Sequence, residues 1–200
     1  MNLAFNFKNR LFWIHNFLPQ NLYKEMYVDL IKNRNKLKFK KTTVDWRTYK
    51  EEVEDMSESL FQDSINYKKL NEYLKEYHIL LKHQPFVNLM SLNFESHIRK
   101  YKYNQHLTWH FDNVNDGTRK YAATFYFNKT WNKNWGAELM FQSEEGSGFI
   151  PVVGNSVVII KTGLEHKANP NLKKSHSRFS IQTWIKQLEI NETRTIRRDS

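Results

Sequence analysis

A histidine and an aspartate stand two positions apart, as His110 and Asp112, in the stretch LTWHFDN. On a β-strand, residues i and i+2 point to the same face, whereas on a helix their directions differ by more than a right angle. The residues around the pair are branched or aromatic, which favours a strand. We therefore expect both side chains to point at one partner, and an imidazole beside a carboxylate suits a metal ion. A hydrogen-bonded surface pair is the alternative, because a His-x-Asp triplet arises easily by chance.

A metal ion held by this pair needs a third ligand, and His166 is the strongest candidate. It follows the apolar segment SVVIIK and the turn TGLE, where a strand is expected to end. His176 is the rival because it lies two positions before Arg178, but its segment NLKKSHS is polar and predicts an exposed loop. Two histidines and one carboxylate form the facial triad of non-haem Fe(II) oxygenases, which leaves three metal positions open to other ligands.

Two further side chains could bind a ligand beside such a metal. Arg178 begins the segment RFSIQTWI and shares a strand face with every second residue as far as Trp184. An arginine in so apolar a strand is costly unless it is paired, and its planar guanidinium fits a carboxylate through two hydrogen bonds. In YAATFYFN, small residues share the face of Tyr126, as in a cavity wall. The alternatives are an edge-strand arginine facing water and an ordinary core tyrosine.

Helices are predicted in the first half of the 200-residue chain, where they would support this site. The segment FLPQNLYKEMYVDLIKNR has apolar residues at i, i+3, i+4 and i+7, and NYKKLNEYLKEYHILLKH repeats the pattern. Residues 35–64 change from basic to acidic and predict a loop with a short helix. We therefore expect a mostly helical support over residues 18–83.

Strands are predicted from about residue 86 onward. Short segments rich in branched and aromatic residues alternate there with turn-forming stretches such as NKTWNKNWG and SEEGSG. About eight strands without intervening helices predict an antiparallel barrel or sandwich, including the jelly roll. The predicted fold class is mainly β with an N-terminal helical layer (α+β). One domain would cover residues 1–185, with its β core at 86–185, before a basic tail at 186–200.

Composition excludes some functions and leaves one question open. The absence of cysteine excludes disulfides, thiolate nucleophiles, zinc ribbons and iron–sulfur clusters. The net charge of +10 could reflect nucleic-acid binding or a lysine-rich composition, and NRNKLKFKK and NLKKSHSR are the candidate basic surfaces. No apolar segment is long enough to span a bilayer, and the N-terminal residues lack the apolar core of a signal peptide. A soluble intracellular or cytoplasmic protein without a membrane partner is expected.

Four segments occur in an order and at a spacing that resemble a known family. They are YKYNQHLTWHFDN, RKYAATFYFNKTWNKNWGAEL, IPVVGNSVVIIKTGLEHKANP and SRFSIQTWI. Together they resemble the 2-oxoglutarate- and Fe(II)-dependent dioxygenases of the prolyl 4-hydroxylase type over residues 97–185. The segment LFWIHNFLPQNLYKEMYVDLI also resembles the strand and helix that open this family's catalytic domain. The resemblance implies a double-stranded β-helix (jelly roll) core.

The resemblance implies a role for each candidate residue. The implied iron ligands are His110, Asp112 and His166. The residues implied at the 2-oxoglutarate pocket are Arg178 at the far carboxylate, Tyr126 assisting it, Tyr101 from the family's Tyr-x-Pro-Gly stretch, and Trp184 near the metal. No residue beyond the metal centre is implied as a general acid or base. YKYN lacks the Pro-Gly of that stretch, and Ala137 and Ala168 replace a glycine and a valine, departures that leave the cofactor positions intact.

The activity implied is hydroxylation of a peptidyl proline with O2, during which 2-oxoglutarate is converted to succinate and CO2. Ascorbate is implied as a reductant. The alternatives are the same chemistry on another amino-acid side chain, a free amino acid or a nucleic acid, or a non-catalytic jelly-roll binding module. Residues 35–64 and the loops NDGTRK and NKTWNKNW would frame the substrate, with Trp131 and Trp135 either as walls or as packing plugs. The oligomeric state is not predicted.

Overall fold

Antiparallel β-strands make up most of the computed structural model, which describes residues 2–33, 40–46, 49–56, 69–72, 92–112 and 118–187. A single long helix, α1, lies among twelve strands in these ranges, and residues 69–72 are also helical. The elements in chain order are β1 (Asn2–Phe7), β2 (Leu11–His15), α1 (Gln20–Asn33), β3 (Lys40–Trp46), β4 (Tyr49–Met56), β5 (Leu92–Tyr101), β6 (Leu107–His110), β7 (Arg119–Tyr126), β8 (Leu139–Ser143), β9 (Gly146–Ile150), β10 (Ser156–Lys161), β11 (Glu165–Ala168) and β12 (Arg178–Gln187).

The strands form two sheets that enclose the candidate site. The larger sheet has the order β1-β2-β10-β7-β12-β5-β4-β3, and the smaller has the order β6-β11-β8-β9. Sequence neighbours are often not sheet neighbours: β10 pairs with β2 and β7, and β12 pairs with β7 and β5. The predicted mainly β fold with an antiparallel two-sheet core is confirmed.

Strand β10 shows why this sequence forms a two-layer core. Its residues 156–160 are all buried, so neither face of the strand reaches solvent. Val157 and Ile159 pack in the cluster beneath α1, whereas Val158 and Ile160 pack in the cluster that contains residues of the smaller sheet. Burying one such side chain contributes about 1.5–3 kcal/mol, which favours a strand covered on both sides.

Helix α1 is fixed to the larger sheet by its apolar face and by polar contacts. Tyr23 and Met26 are buried in the cluster beneath the helix, as the apolar spacing predicts. The Tyr23 hydroxyl donates a hydrogen bond to the carbonyl oxygen of Phe127 at 2.9 Å. Before the helix, the buried Asn155 side chain accepts from the Leu18 amide and donates to the Leu18 carbonyl, both at 2.9 Å. The predicted strand and helix of LFWIHNFLPQNLYKEMYVDLI are confirmed as β2 and α1.

The helical support is smaller than predicted. Strands β3 and β4 form a hairpin within the range expected to be a loop with a short helix, and β4 extends the larger sheet by pairing with β5. The edge of β5 would be unpaired without β4, and the hydrogen-bond partners that it offers are not visible in the local sequence, which explains the error. The remainder of 35–64, most of the second predicted helix and residues 188–200 of the tail lie outside the described residues. No helix in the described ranges is long and apolar enough to cross a membrane.

The strands of the second half differ from the prediction in two places. Strand β5 is continuous over Leu92–Tyr101, where the segments FVNLMSLNF and HIRKYKY predict two separate strands, and β12 continues beyond RFSIQTWI to Gln187. Strand β11 (Glu165–Ala168) was not predicted, because its four residues follow a tight turn without an apolar run of their own. His166 therefore lies within a strand of the smaller sheet, whereas the sequence predicted that it would follow the end of a strand.

Candidate metal centre and adjoining pocket

Strands β6 and β11 bring the three predicted metal ligands together. His166 of β11 pairs directly with His110, the last residue of β6, and Asp112 follows two residues later. One ligand atom from each side chain lies within 4.8 Å of the others, and all three residues are buried. The His166 Nε2 atom lies 3.3 Å from the Asp112 Oδ2 atom. The spacing of these atoms suits three donors around one cation.

Backbone carbonyls orient both imidazoles towards this centre. The Nδ1 atom of His110 lies 2.7 Å from the Thr108 carbonyl oxygen, and that of His166 lies 2.9 Å from the Leu164 carbonyl oxygen. A neutral imidazole that donates from Nδ1 keeps the lone pair on Nε2, which is then available to a metal. The carbonyls therefore select the tautomer that a metal ligand requires.

Asp112 is oriented by a tryptophan. The Trp184 Nε1 group donates a hydrogen bond to Asp112 Oδ1 at 3.2 Å. The other carboxylate oxygen, Oδ2, is buried and lies beside His166 Nε2. The carboxylate thus has one oxygen fixed by a donor and one oxygen directed at the histidines, as expected of a ligand that uses a single oxygen.

The pKa values of these residues favour a neutral His110 and an ionised Asp112. Burial, reinforced by neighbouring His166, lowers the pKa of His110 to about 4. Burial alone would raise the pKa of Asp112, but the hydrogen bond and charge of His166 and the Trp184 hydrogen bond hold it well below its usual range. Burial would likewise lower the pKa of His166, yet Asp112 raises it. The same carboxylate that pairs with His166 would pair with a metal cation in its place.

A small pocket is lined by the three ligands and by several of the other predicted residues. Arg178, Tyr126 and Tyr101 contribute to its wall, and Arg178 is only 3% exposed. The Arg178 guanidinium lies 3.8 Å from the centre of the Tyr101 ring, and its Nη1 group donates to the Ala137 carbonyl oxygen at 3.0 Å. No carboxylate pairs with this buried cation in the part of the chain that the structure describes.

Three buried polar atoms near the pocket lack partners. They are the Nε atom of Arg178, the hydroxyl of Tyr126 and the hydroxyl of Ser180, none of which has a hydrogen bond among the described residues. Burial raises the pKa of Tyr126 to about 12, so its hydroxyl is a neutral donor near pH 7. Buried polar groups are normally satisfied, and a cation with two hydroxyls matches the acceptor oxygens of a carboxylate. The donors of this pocket therefore suit the carboxylate of a ligand bound beside the metal position.

Sequence reasoning did not identify the other polar residues around the site. Thr124 donates a hydrogen bond to Gln182 Oε1 at 2.6 Å, and both residues line the pocket. The guanidinium of Arg119 lies 4.4 Å from the centre of the Trp184 ring, and its Nη1 atom lies 3.9 Å from Asp112 Oδ1. Gln182 could have been identified because it lies on the same strand face as Arg178. A charge at a strand end, such as Arg119, carries no local signal because most such charges face water.

The remaining candidates lie apart from the three ligands. His176 is exposed and bonded to the adjacent Ser175, in agreement with its prediction as a surface residue. Trp131 packs at right angles to Trp135 and donates its Nε1 hydrogen to the Gly136 carbonyl oxygen at 2.9 Å. These contacts favour the packing role over a substrate wall. Ala137, the residue at a family glycine, adopts φ +63°, a conformation that glycine accepts more readily.

Comparison with known proteins supports the fold and the family. Residues 96–186 match the sequence model of the 2OG-Fe(II) oxygenase superfamily. A Pseudomonas putida prolyl-4-hydroxylase structure is similar with a TM-score of 0.69 at 16% identity, covering 90% of this chain and 93% of that chain. No curated protein matches the chain in sequence.

Two further structures show the range of proteins that share the fold. A Trichoplax adhaerens prolyl hydroxylase, solved with a peptide fragment of the hypoxia inducible factor oxygen degradation domain, has a TM-score of 0.69 at 16% identity and covers 90% of this chain and 84% of that chain. The non-haem α-ketoglutarate-dependent epimerase SnoN from nogalamycin biosynthesis has a TM-score of 0.65 at 8% identity. The similarity covers 88% of this chain and 77% of that chain. The predicted jelly-roll fold is confirmed, and at these identities the likeness extends to the fold alone.

Proposed function

We propose that this chain, whose residues 96–186 match the 2OG-Fe(II) oxygenase superfamily, hydroxylates a peptidyl proline with Fe(II), 2-oxoglutarate and O2. In this reaction 2-oxoglutarate is converted to succinate and CO2. One observation carries the proposal: three buried metal-ligand side chains line a pocket in which the buried Arg178 has no carboxylate partner among the described residues. A non-catalytic binding module would need no such arrangement.

The residues present fit both implied groups. His110, Asp112 and His166 would hold Fe(II) through two neutral imidazoles and one carboxylate oxygen, a set that suits this ion. Arg178 would bind the far carboxylate of 2-oxoglutarate, and Tyr126 would donate its unpartnered hydroxyl to the same group. Bound iron supplies the activation of O2, and the chain supplies position and shielding from water.

Several side chains would act by holding these groups in place. Tyr101 supports the plane of the Arg178 guanidinium, which the Ala137 carbonyl also fixes. Trp184 holds one oxygen of Asp112 so that the other faces the metal position. The proposed reaction requires no general acid or base from the protein, and ascorbate would serve only to restore Fe(II).

Peptidyl proline is the proposed substrate because the sequence resembles prolyl 4-hydroxylases and two of the similar structures are prolyl hydroxylases, one of them solved with a peptide. Another amino-acid side chain or a free amino acid is the second candidate. The similar epimerase illustrates that this fold also carries other reactions.

The first test separates cofactor chemistry from substrate choice. Fe(II) and 2-oxoglutarate are added without O2, the visible metal-to-ligand charge-transfer band is recorded, and succinate is measured after air is admitted. His166→Ala should lose both signals, whereas His176→Ala, which changes an exposed histidine, should keep them. A folded, iron-loaded wild type that gives neither band nor succinate would refute the oxygenase. Proline-containing peptides are then screened by mass spectrometry for the gain of one oxygen.

A further inference from the structure

Loops from three parts of the chain meet at the end of the barrel opposite the metal ligands. His110 ends β6 and His166 lies near the start of β11, whereas these loops adjoin the start of β6 and the end of β11. The loops therefore lie at the far ends of the two strands that carry the histidines. We call this region the basic aromatic surface, and it comprises residues 102–106, 129–135 and 171–177.

Backbone hydrogen bonds join the three loops into one surface. The Asn104 amide donates to the Asn171 carbonyl oxygen at 2.7 Å, and the Leu172 amide donates to the Trp135 carbonyl oxygen at 2.7 Å. The buried Asn171 side chain donates to the carbonyl oxygen of Tyr101, which precedes the first loop, and to that of His176 in the third loop. These contacts fix the relative positions of the loops.

The charge of this surface has a single sign. Its three loops contain five lysines and no aspartate or glutamate, although the whole chain has 21 acidic residues. The lysines of these loops are Lys102, Lys129, Lys133, Lys173 and Lys174. A concentration of one charge on a surface attracts a polyanion and raises its rate of association.

Aromatic rings lie among these lysines. The Tyr103 ring is 48% exposed, and the Lys174 ammonium lies 5.2 Å from its centre. The Lys173 ammonium lies 5.4 Å from the centre of the Trp135 ring, against which the His176 ring packs at 4.6 Å. Rings that alternate with cations can stack on bases while the cations contact the flanking phosphates.

We propose that the basic aromatic surface binds single-stranded nucleic acid, with Tyr103 as a stacking platform and Lys173 and Lys174 as phosphate contacts. The Lys174 ammonium and the exposed Tyr103 ring are close enough to contact the same nucleotide. An anionic membrane is less suited, because the surface offers one strongly exposed aliphatic side chain, Leu172, rather than an apolar face. The surface lies outside the metal pocket, so the two sites can be occupied together.

Fluorescence anisotropy of a labelled single-stranded dT12 oligonucleotide tests this proposal. With Lys173 and Lys174 as the phosphate contacts, wild-type affinity should fall about sevenfold between 50 and 200 mM salt. Lys173→Glu/Lys174→Glu should weaken binding at least about tenfold and reduce the salt dependence. The matched control Lys8→Glu/Lys24→Glu alters exposed lysines elsewhere and should change the affinity less than about twofold.

A second pair of measurements tests the stacking platform. Tyr103→Ala should weaken oligonucleotide binding at least about fivefold while leaving the affinity for heparin, which has no bases, unchanged. Thermal melting of every variant shows whether the fold is retained, and these exposed positions should leave it unchanged. Equal losses in the control pair, equal losses on heparin, tighter binding to phosphatidylcholine–phosphatidylserine vesicles, or no wild-type binding at 50 mM salt would each overturn the proposal.

Discussion

Replacement of Tyr126 by phenylalanine should stabilise the ligand-free protein while weakening its affinity for 2-oxoglutarate. The Tyr126 hydroxyl is fully buried and has no hydrogen-bond partner among the described residues. A buried polar group without a partner costs about 1–3 kcal/mol, so its removal should raise the free energy of unfolding by at least ~1 kcal/mol. Such opposing effects are typical of a residue that is poised for a ligand.

The same hydroxyl should contribute to the bound state. A neutral donor that bonds a carboxylate contributes about 1.5–3 kcal/mol, which corresponds to roughly a 10- to 150-fold weaker Kd for 2-oxoglutarate in Tyr126→Phe. Kd is measured by anaerobic titration of the charge-transfer band with saturating Fe(II). The free energy of unfolding is measured by urea denaturation without metal or 2-oxoglutarate.

Tyr23→Phe is the matched control. The Tyr23 hydroxyl already donates to the Phe127 carbonyl oxygen, and Tyr23 packs beneath α1 away from the pocket. Its removal should lower the free energy of unfolding by ~1 kcal/mol and leave the affinity for 2-oxoglutarate unchanged. The reasoning fails if Tyr126→Phe loses as much stability as Tyr23→Phe, or if its Kd for 2-oxoglutarate equals that of the wild type.

Three other substitutions test separate parts of the structure. Trp184→Phe removes the donor to Asp112 and should weaken Fe(II) binding about 10- to 100-fold in a metal titration, and an unchanged affinity would contradict the orienting role. Ala137→Gly relieves the positive φ but removes a buried methyl group, so the free energy of unfolding in urea denaturation should change by less than ~1 kcal/mol, and a loss above ~2 kcal/mol would refute that strain. Asn155→Ala should cost ~3 kcal/mol because it removes two buried hydrogen bonds at a positive φ. Asn104→Ala, at a positive φ on an exposed loop, should cost only ~1 kcal/mol and serves as its control.

The sequence predicts the centre of the site because its signals are local. The spacing of His110 and Asp112 predicts that both side chains point to one face, which holds although β6 ends at His110, and His166 follows an apolar run. The same alternation along β12 placed Arg178 on the pocket face. What brings these elements together is the pairing of β6 with β11, which the apolar pattern permits but does not specify.

The features that sequence reasoning missed depend on distant partners. Strand β4 has charged residues at most positions, and it is a strand because the edge of β5 is available to pair with it. Arg119 has the charge of a surface residue, and only its stacking on Trp184 reveals that it belongs to the site. Such contacts join residues far apart in the chain, so the spacing of apolar residues within one segment does not predict them.

The fixed position of Arg178 has a consequence for the thermodynamics of binding. A free arginine side chain has about 2 kcal/mol of rotamer entropy to lose when it grips a ligand. Here the Tyr101 ring and the Ala137 carbonyl already restrict the guanidinium, so most of that entropy is lost during folding. A carboxylate that enters the pocket therefore meets a preorganised partner, and its affinity is reduced mainly by its own dehydration rather than by ordering of the protein.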